Sequence, residues 1–196
     1  MLRQASTLAA ALMLVLAPAV ASADVVKPYL AVDNLAGDTG VAKSGSLLTM
    51  DGTAFTLITT GAPIDIADEP FALAATFVSK DGLGSYTFGS GTLNIGTMLA
   101  ATFSSLTVES LGFGVGNFFA DLTYTGGSMK GSYTNGRVEG SFFCATTDNF
   151  SGNFTAADLT AVAVGQVQPV PVPAAGWLLG SALLGLAGLG RRRQAS

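Results

Sequence analysis

Residues 115–144 read VGNFFADLTYTGGSMKGSYTNGRVEGSFFC, and the way this stretch alternates decides the fold class. Phe118, Ala120, Leu122 and Tyr124 fall on one side of an extended chain, and Phe119, Asp121 and Thr123 on the other, because successive side chains of a strand point to opposite faces. Gly126-Gly127 and Asn135-Gly136 are pairs that adopt the positive φ angles two-residue hairpin turns demand. The expectation is a meander with strands near 115–125, 128–134 and 137–144. One face of each is apolar and one polar, which suits an antiparallel sheet with a single wet side.

The same pattern extends outward. In FALAATFV (71–78), Phe71, Leu73, Ala75 and Phe77 share a face, and Asp51-Gly52 in TMDGTA (49–54) reads as another hairpin turn. Between the two ends of the chain no segment keeps a 3.6-residue apolar period for more than two turns. Residues 24–168 hold 20 of the 25 glycines, about twice the ordinary share. Phrases such as GSLL (45), GTLN (91), GTML (96), GSMK (127), GSYT (131) and GSFF (140) recur. Their spacing is irregular, so they mark strand starts and not a solenoid repeat. The predicted fold is all-β, an antiparallel β-sandwich or barrel of about eight to eleven short strands. The predicted divisions are a signal peptide (1–23), the β-domain (24–165), a proline-containing linker (166–173), a transmembrane helix (174–190) and a basic tail (191–196).

Charge and chemistry narrow the function. Residues 24–168 carry all 13 acidic residues against five basic ones (Lys27, Lys43, Lys80, Lys130, Arg137), a net charge of −8. Such a surface lacks the cations that nucleic acid or anionic lipid requires. The chain has no histidine, which removes Ser-His-Asp and Cys-His catalysis and most zinc sites. No nucleophile elbow, P-loop or dinucleotide fingerprint occurs. Cys144 is the single cysteine, read as a half-buried, inert thiol at a strand end. Asp33, Asn34 and Asp38, and Asp65, Asp68 and Glu69, form oxygen-rich stretches that match no calcium-loop pattern and read as solvated loop acids. Glu139 lies two residues from Arg137 on one strand face, the spacing of a solvated ion pair. No catalysis, cofactor or metal site is expected.

The ends carry addresses. Arg3, the apolar run TLAAALMLVLA (7–17), and small residues at Ala21 and Ala23 make a secretory signal cut before Asp24. Prolines at 169, 171 and 173 favour an extended tether. Residues 174–190 are 17 uncharged positions followed by Arg191, Arg192 and Arg193. That is the lower limit for a spanning helix with a cytoplasmic basic stop.

This tail resembles the sorting signals of exosortase substrates, the PEP-CTERM group, in its VPLPA-type variant. The matching residues are Val170, Pro171, Val172, Pro173 and Ala174, then Trp177 and the apolar run, then Arg191–Arg193. Val172 stands where that variant carries leucine. The resemblance implies export by the secretion machinery, an inner-membrane intermediate, cleavage by an exosortase-type membrane transpeptidase, and release to the cell surface or extracellular matrix. It also implies a Gram-negative source and an exopolysaccharide partner, with a structural or adhesive role in biofilm. A second likeness covers GSYTNGRVEGSFF (131–143) and FSGNFTAA (150–157), which are similar to the closing β-barrel hairpins of transferrin-binding-type surface proteins. Two alternatives stand beside the sorted surface protein. One is a β-module binding carbohydrate or a small solute, with Tyr86, Tyr124 and Tyr133 as the aromatics to line its groove. The other is a permanently anchored single-pass membrane protein.

Overall fold

A computed structural model of the chain describes residues 25–167, Thr134 excepted, and Asp24–Gln168 form one compact unit. Ten strands follow one another: β1 (Val25–Asp33), β2 (Gly40–Ser44), β3 (Leu47–Ile58), β4 (Ile64–Lys80), β5 (Ser85–Ile95), β6 (Leu99–Phe103), β7 (Leu106–Gly112), β8 (Val115–Gly126), β9 (Gly136–Phe143) and β10 (Phe154–Val167). A single 3₁₀ turn, Lys130–Ser132, lies between β8 and β9.

All strand pairings are antiparallel, and they close into a ring. β1 pairs with both β3 and β10, and β2 takes over the same two partners further along. β1 and β2 are therefore two halves of one wall position. β6 and β7 stand in the same relation, each held between β5 and β8. Eight positions result, in the order β1/β2, β3, β4, β5, β6/β7, β8, β9, β10, with β10 returning to β1. Bulges supply the bending that closure needs. In β10 the register with β9 shifts between Thr160 and Ala163, where Ala161 takes φ 50°.

The inward positions are mostly apolar, with Lys43 on β2 the charged exception. Leu48, Met50 and Ala54 from β3 meet Phe71 and Leu73 from β4, and Phe118 and Ala120 from β8 face Val162 and Val164 from β10, all essentially buried. At one end of the ring lie the turns at 45–46, 81–84 and 113–114. The connection 144–153 folds over this end and inserts Phe150, whose ring lies 4.9 Å from Phe142 and 5.6 Å from Tyr86. Lys43 is also buried here. Its Nζ donates to the carbonyls of Gly45 (2.6 Å) and Ser151 (2.8 Å) and sits 5.1 Å from the Phe77 ring centre. Burial lowers the pKa of its ammonium, because the charged form is disfavoured away from water. The opposite end carries the turns at 59–63 and 96–98, the segment 127–135, and both limits of the described chain, where Val25 pairs with Val167.

Several expectations are corrected. The predicted two-sheet sandwich or barrel of short strands is replaced by one ring-like sheet, with strands of up to 17 residues in β4. Asp51-Gly52 is no turn but the middle of β3, paired with Ala72 and Phe71. A Cβ at Gly52 would stand 3.0 Å from the Asp33 carbonyl oxygen and from Leu159 Cδ2, so the glycine permits close approach of neighbouring strands. The predicted strand at 128–134 is a 3₁₀ turn and loop over its described residues, 128–133. Tyr133 folds inward against Tyr124, ring centres 5.3 Å apart, and draws the segment across the end of the ring. The transmembrane-helix expectation is also corrected. No helix among the described residues is long and apolar enough to cross a membrane. The stretch 174–190 lies outside the described residues, so neither the helix nor the inner-membrane intermediate built on it has structural support.

Candidate functional site

The sequence-selected positions at the chain ends, Ala21, Ala23 and Asp24, Val170–Ala174 and Arg191–Arg193, lie outside the described residues. The three tyrosines do not form an exposed groove. Tyr86 and Tyr133 are 2% and 5% exposed, Tyr124 is half-buried, and all three pack into the core. The Tyr86 hydroxyl donates to the Asp148 carbonyl (3.3 Å) and that of Tyr124 to the Gly165 carbonyl (2.6 Å). Among the described residues the Tyr133 hydroxyl has no partner. Burial pushes the pKa of both Tyr124 and Tyr133 up, and for Tyr124 the neighbouring Tyr133 phenol adds to the effect.

Among the described residues the exposed aromatics are phenylalanines at the end of the ring that Phe150 closes. The β7–β8 turn is Gly112-Phe113-Gly114, with φ angles of 82°, 55° and 79°. Three consecutive left-handed residues suit the two glycines but strain the phenylalanine. Gly114 is also forced by crowding: a Cβ there would strike the carbonyl oxygen of Cys144. Its carbonyl accepts from the Cys144 amide (2.8 Å), and its own amide donates to Asp148 Oδ1. The turn is thereby locked against the 144–153 connection, and Phe113 projects with 92% of its surface exposed.

Beside it lies a pocket of about 370 Å³ lined by Phe113, Phe143, Thr146, Thr147 and Asp148. Phe143, at the end of β9, is 45% exposed. The lining thus includes two aromatic side chains, two hydroxyls and a carboxylate; of these, Thr147 Oγ1 accepts from the Asn149 amide (2.9 Å) and Asp148 Oδ1 from the Gly114 amide. Cys144 is buried, and its Sγ lies 3.2 Å from Thr146 Oγ1. Leu83 and Leu111 are also exposed. Their turns are joined by the Ser110 amide donating to the Gly84 carbonyl (2.9 Å).

On the outer wall a second, larger depression of about 760 Å³ opens where β5, β6 and β8 meet. Near it, Arg137 bridges Asp121 (3.2 Å) and Glu139 (3.4 Å) and covers the Phe119 ring at 4.6 Å. The expected Arg137–Glu139 pair is present, but the arginine is buried by its packing on Phe119 and is not solvated.

The oxygen-rich stretches are not all loops as expected: Asp33 ends β1, and Asp65, Asp68 and Glu69 lie within β4. Asp38 accepts from the Leu35 amide (2.8 Å) and Thr53 Oγ1 (3.0 Å), and Asp33 from the Asn34 amide (2.8 Å). Glu69 accepts from the Thr97 amide (3.2 Å). Among the described residues no three acid, cysteine or histidine side chains converge to hold a metal.

The sequence reading singles out Tyr86, Tyr124 and Tyr133 as the aromatics of a groove and passes over Phe113. The signal available was Gly-Phe-Gly between two alternating runs: an aromatic held in a turn by glycines has no neighbours within its own strand to cover it. The chain matches no protein-family model, no curated protein and no solved structure.

Proposed function

We propose that this is an exported β-module that binds neutral carbohydrate, or a similarly polyhydroxylated small solute, without catalysis, at the Phe113–Phe143 pocket. The observation that carries the reading is Phe113, which is unfavourable on two counts. It holds a left-handed backbone at φ 55° and exposes 92% of an aromatic side chain. Strained residues persist where surrounding structure over-determines them, and they cluster at ligand-binding sites. A sugar presents an apolar C–H face and a polar edge. Ring faces at Phe113 and Phe143 complement the first, and Thr146, Thr147 and Asp148 the second. The mix of apolar walls and a few convergent polar groups is that of a small-molecule site.

Within this proposal the Val170–Ala174 motif, similar to exosortase sorting signals, is the delivery element, and an exosortase-type transpeptidase and the secretion machinery are the partners that act on it. Retention of glycan at the surface or in the matrix would then give the module its structural or adhesive role. A glycan array probed with the full chain tests the binding reading. The expected result is retention of one or more neutral glycans, weakened at least tenfold by Phe113→Ala. An array on which no neutral glycan is retained refutes it.

A further inference from the structure

We infer that the depression between β5, β6 and β8 is a second carbohydrate site, shaped for an extended, uncharged polysaccharide strand lying across the β-strands. The inference rests on the carbohydrate reading above and adds the class of ligand: a polymer, held at two places on one molecule.

The site arises from a break in the ladder. β6 pairs with β8 up to Thr102↔Thr123, and β7 resumes at Thr107↔Phe119, so four residues on one side face three on the other. Toward β5 the ladder stops at Gly91↔Phe103 and resumes at Phe88↔Leu106. Ser104 and Ser105 are left out of both ladders, and the wall opens. Phe103 and Leu122 floor the opening. The Phe103 ring occupies the space where a Cβ at Gly91 would stand.

The rim carries the hydroxyls of Ser90, Thr92, Thr102, Ser104 and Thr123. Ser105 spends its hydroxyl on the Phe88 carbonyl (3.3 Å), whereas none of these five has a protein partner among the described residues. The one charged rim group, Asp121, lies 3.2 Å from an Arg137 nitrogen. No cation is left over, which disfavours phosphate, sulfate and uronate. Unengaged hydroxyls that both donate and accept suit a neutral polyol.

The register argues for a polymer. Thr49, Ala74, Thr92, Thr102 and Thr123 are successive cross-strand partners in a single row over β3, β4, β5, β6 and β8. Neighbouring strands stand about 4.8 Å apart, so the row repeats at that interval over about 19 Å. Thr92 also lines an adjoining depression of about 430 Å³ with Thr49 and Asn94, which continues the track beyond the groove. Ala74 interrupts the row and Thr49 donates to the Ala42 carbonyl (3.4 Å), so the adjacent hydroxyls at strand spacing are those of Thr92, Thr102 and Thr123, and such a run engages a periodic chain better than a single sugar.

Titration calorimetry of the full chain with neutral linear glucans of one to six units tests this, with a sulfated glucan as comparison. The wild type should take up two glycan equivalents, with affinity rising with length and no preference for the sulfated form. The triple variant Thr92→Val, Thr102→Val, Thr123→Val should lose one equivalent and the length dependence, whereas Phe113→Ala should lose the other equivalent and keep that dependence. Ser104→Arg, which fills the groove from outside the ladders, should reproduce the triple variant if the valines compromise folding. Wild-type stoichiometry and length dependence in the groove variants would overturn this inference alone. Absence of any glucan binding by the wild type would overturn this inference, whereas the Phe113 reading falls only if the glycan array retains no neutral glycan.

Discussion

At the scale of single residues, Phe113 sets folding against binding. A non-glycine residue in the left-handed region costs roughly 1–2 kcal/mol, and glycine adopts that region without steric penalty. Phe113→Gly should therefore raise the free energy of unfolding by about 1 kcal/mol, partly offset by the added freedom of the unfolded chain, while abolishing glycan binding at the pocket. Urea denaturation and calorimetry on the same preparation would show the two effects moving in opposite directions. A loss of stability in the glycine variant would mean that Phe113 is held by packing instead of being displayed. The sequence carries this residue in plain view as Gly112-Phe113-Gly114. What it does not carry is exposure, which depends on the 144–153 connection approaching Gly114 and leaving the ring uncovered.

At the scale of elements, alternation was a dependable guide and dipeptides were not. The strands expected at 115–125 and 137–144 are β8 and β9, displaced by one residue at their ends, because every second side chain there is apolar and the opposite face is wet. Asp51-Gly52 misled, since a glycine can serve a turn or a crowded crossing, and only the partner strands distinguish the two. The structure places Gly52 under Asp33 and Leu159, and this yields a discriminating substitution. Asparagine tolerates the left-handed angles of a hairpin turn but has no room in the ladder. Gly52→Asn should cost about 2–3 kcal/mol through overpacking, measured as a fall in the denaturation midpoint. A near-neutral change would restore the turn reading. Residues 128–134 misled for a related reason: the flanking Gly126-Gly127 and Asn135-Gly136 pairs read locally as hairpin turns, but Tyr133 is captured by Tyr124 from β8, a contact that alternation does not encode.

For the whole molecule, the all-β class is legible from composition and period, whereas closure of the ring is not. It depends on β10 returning to β1, a pairing of residues 130 or more positions apart such as Val32 and Val162, with no local signature. The buried phenols make closure measurable. Tyr124 and Tyr133 hold their protons above the ordinary tyrosine value near 10, so the folded chain retains protons that the unfolded chain releases. Their contribution is intact below pH 10 and is lost as the pH rises above it. Lys43 acts in the other sense: its depressed pKa means that the folded state sheds a proton first, and stability rises with pH below its ordinary value. The tyrosine effect is isolated by comparison with Tyr124→Phe, whose thermal midpoint should fall less between pH 9 and pH 11 than that of the wild type; equal falls would mean that the phenol is not held in its protonated state by the core. The adjacency of Val25 and Val167 has a further consequence. A loop of a few residues joining them, with new ends cut at Gly82 in the exposed β4–β5 turn, should give a circular permutant with an unchanged β-sheet circular dichroism spectrum, because the order of neighbours around the wall does not depend on where the polypeptide starts.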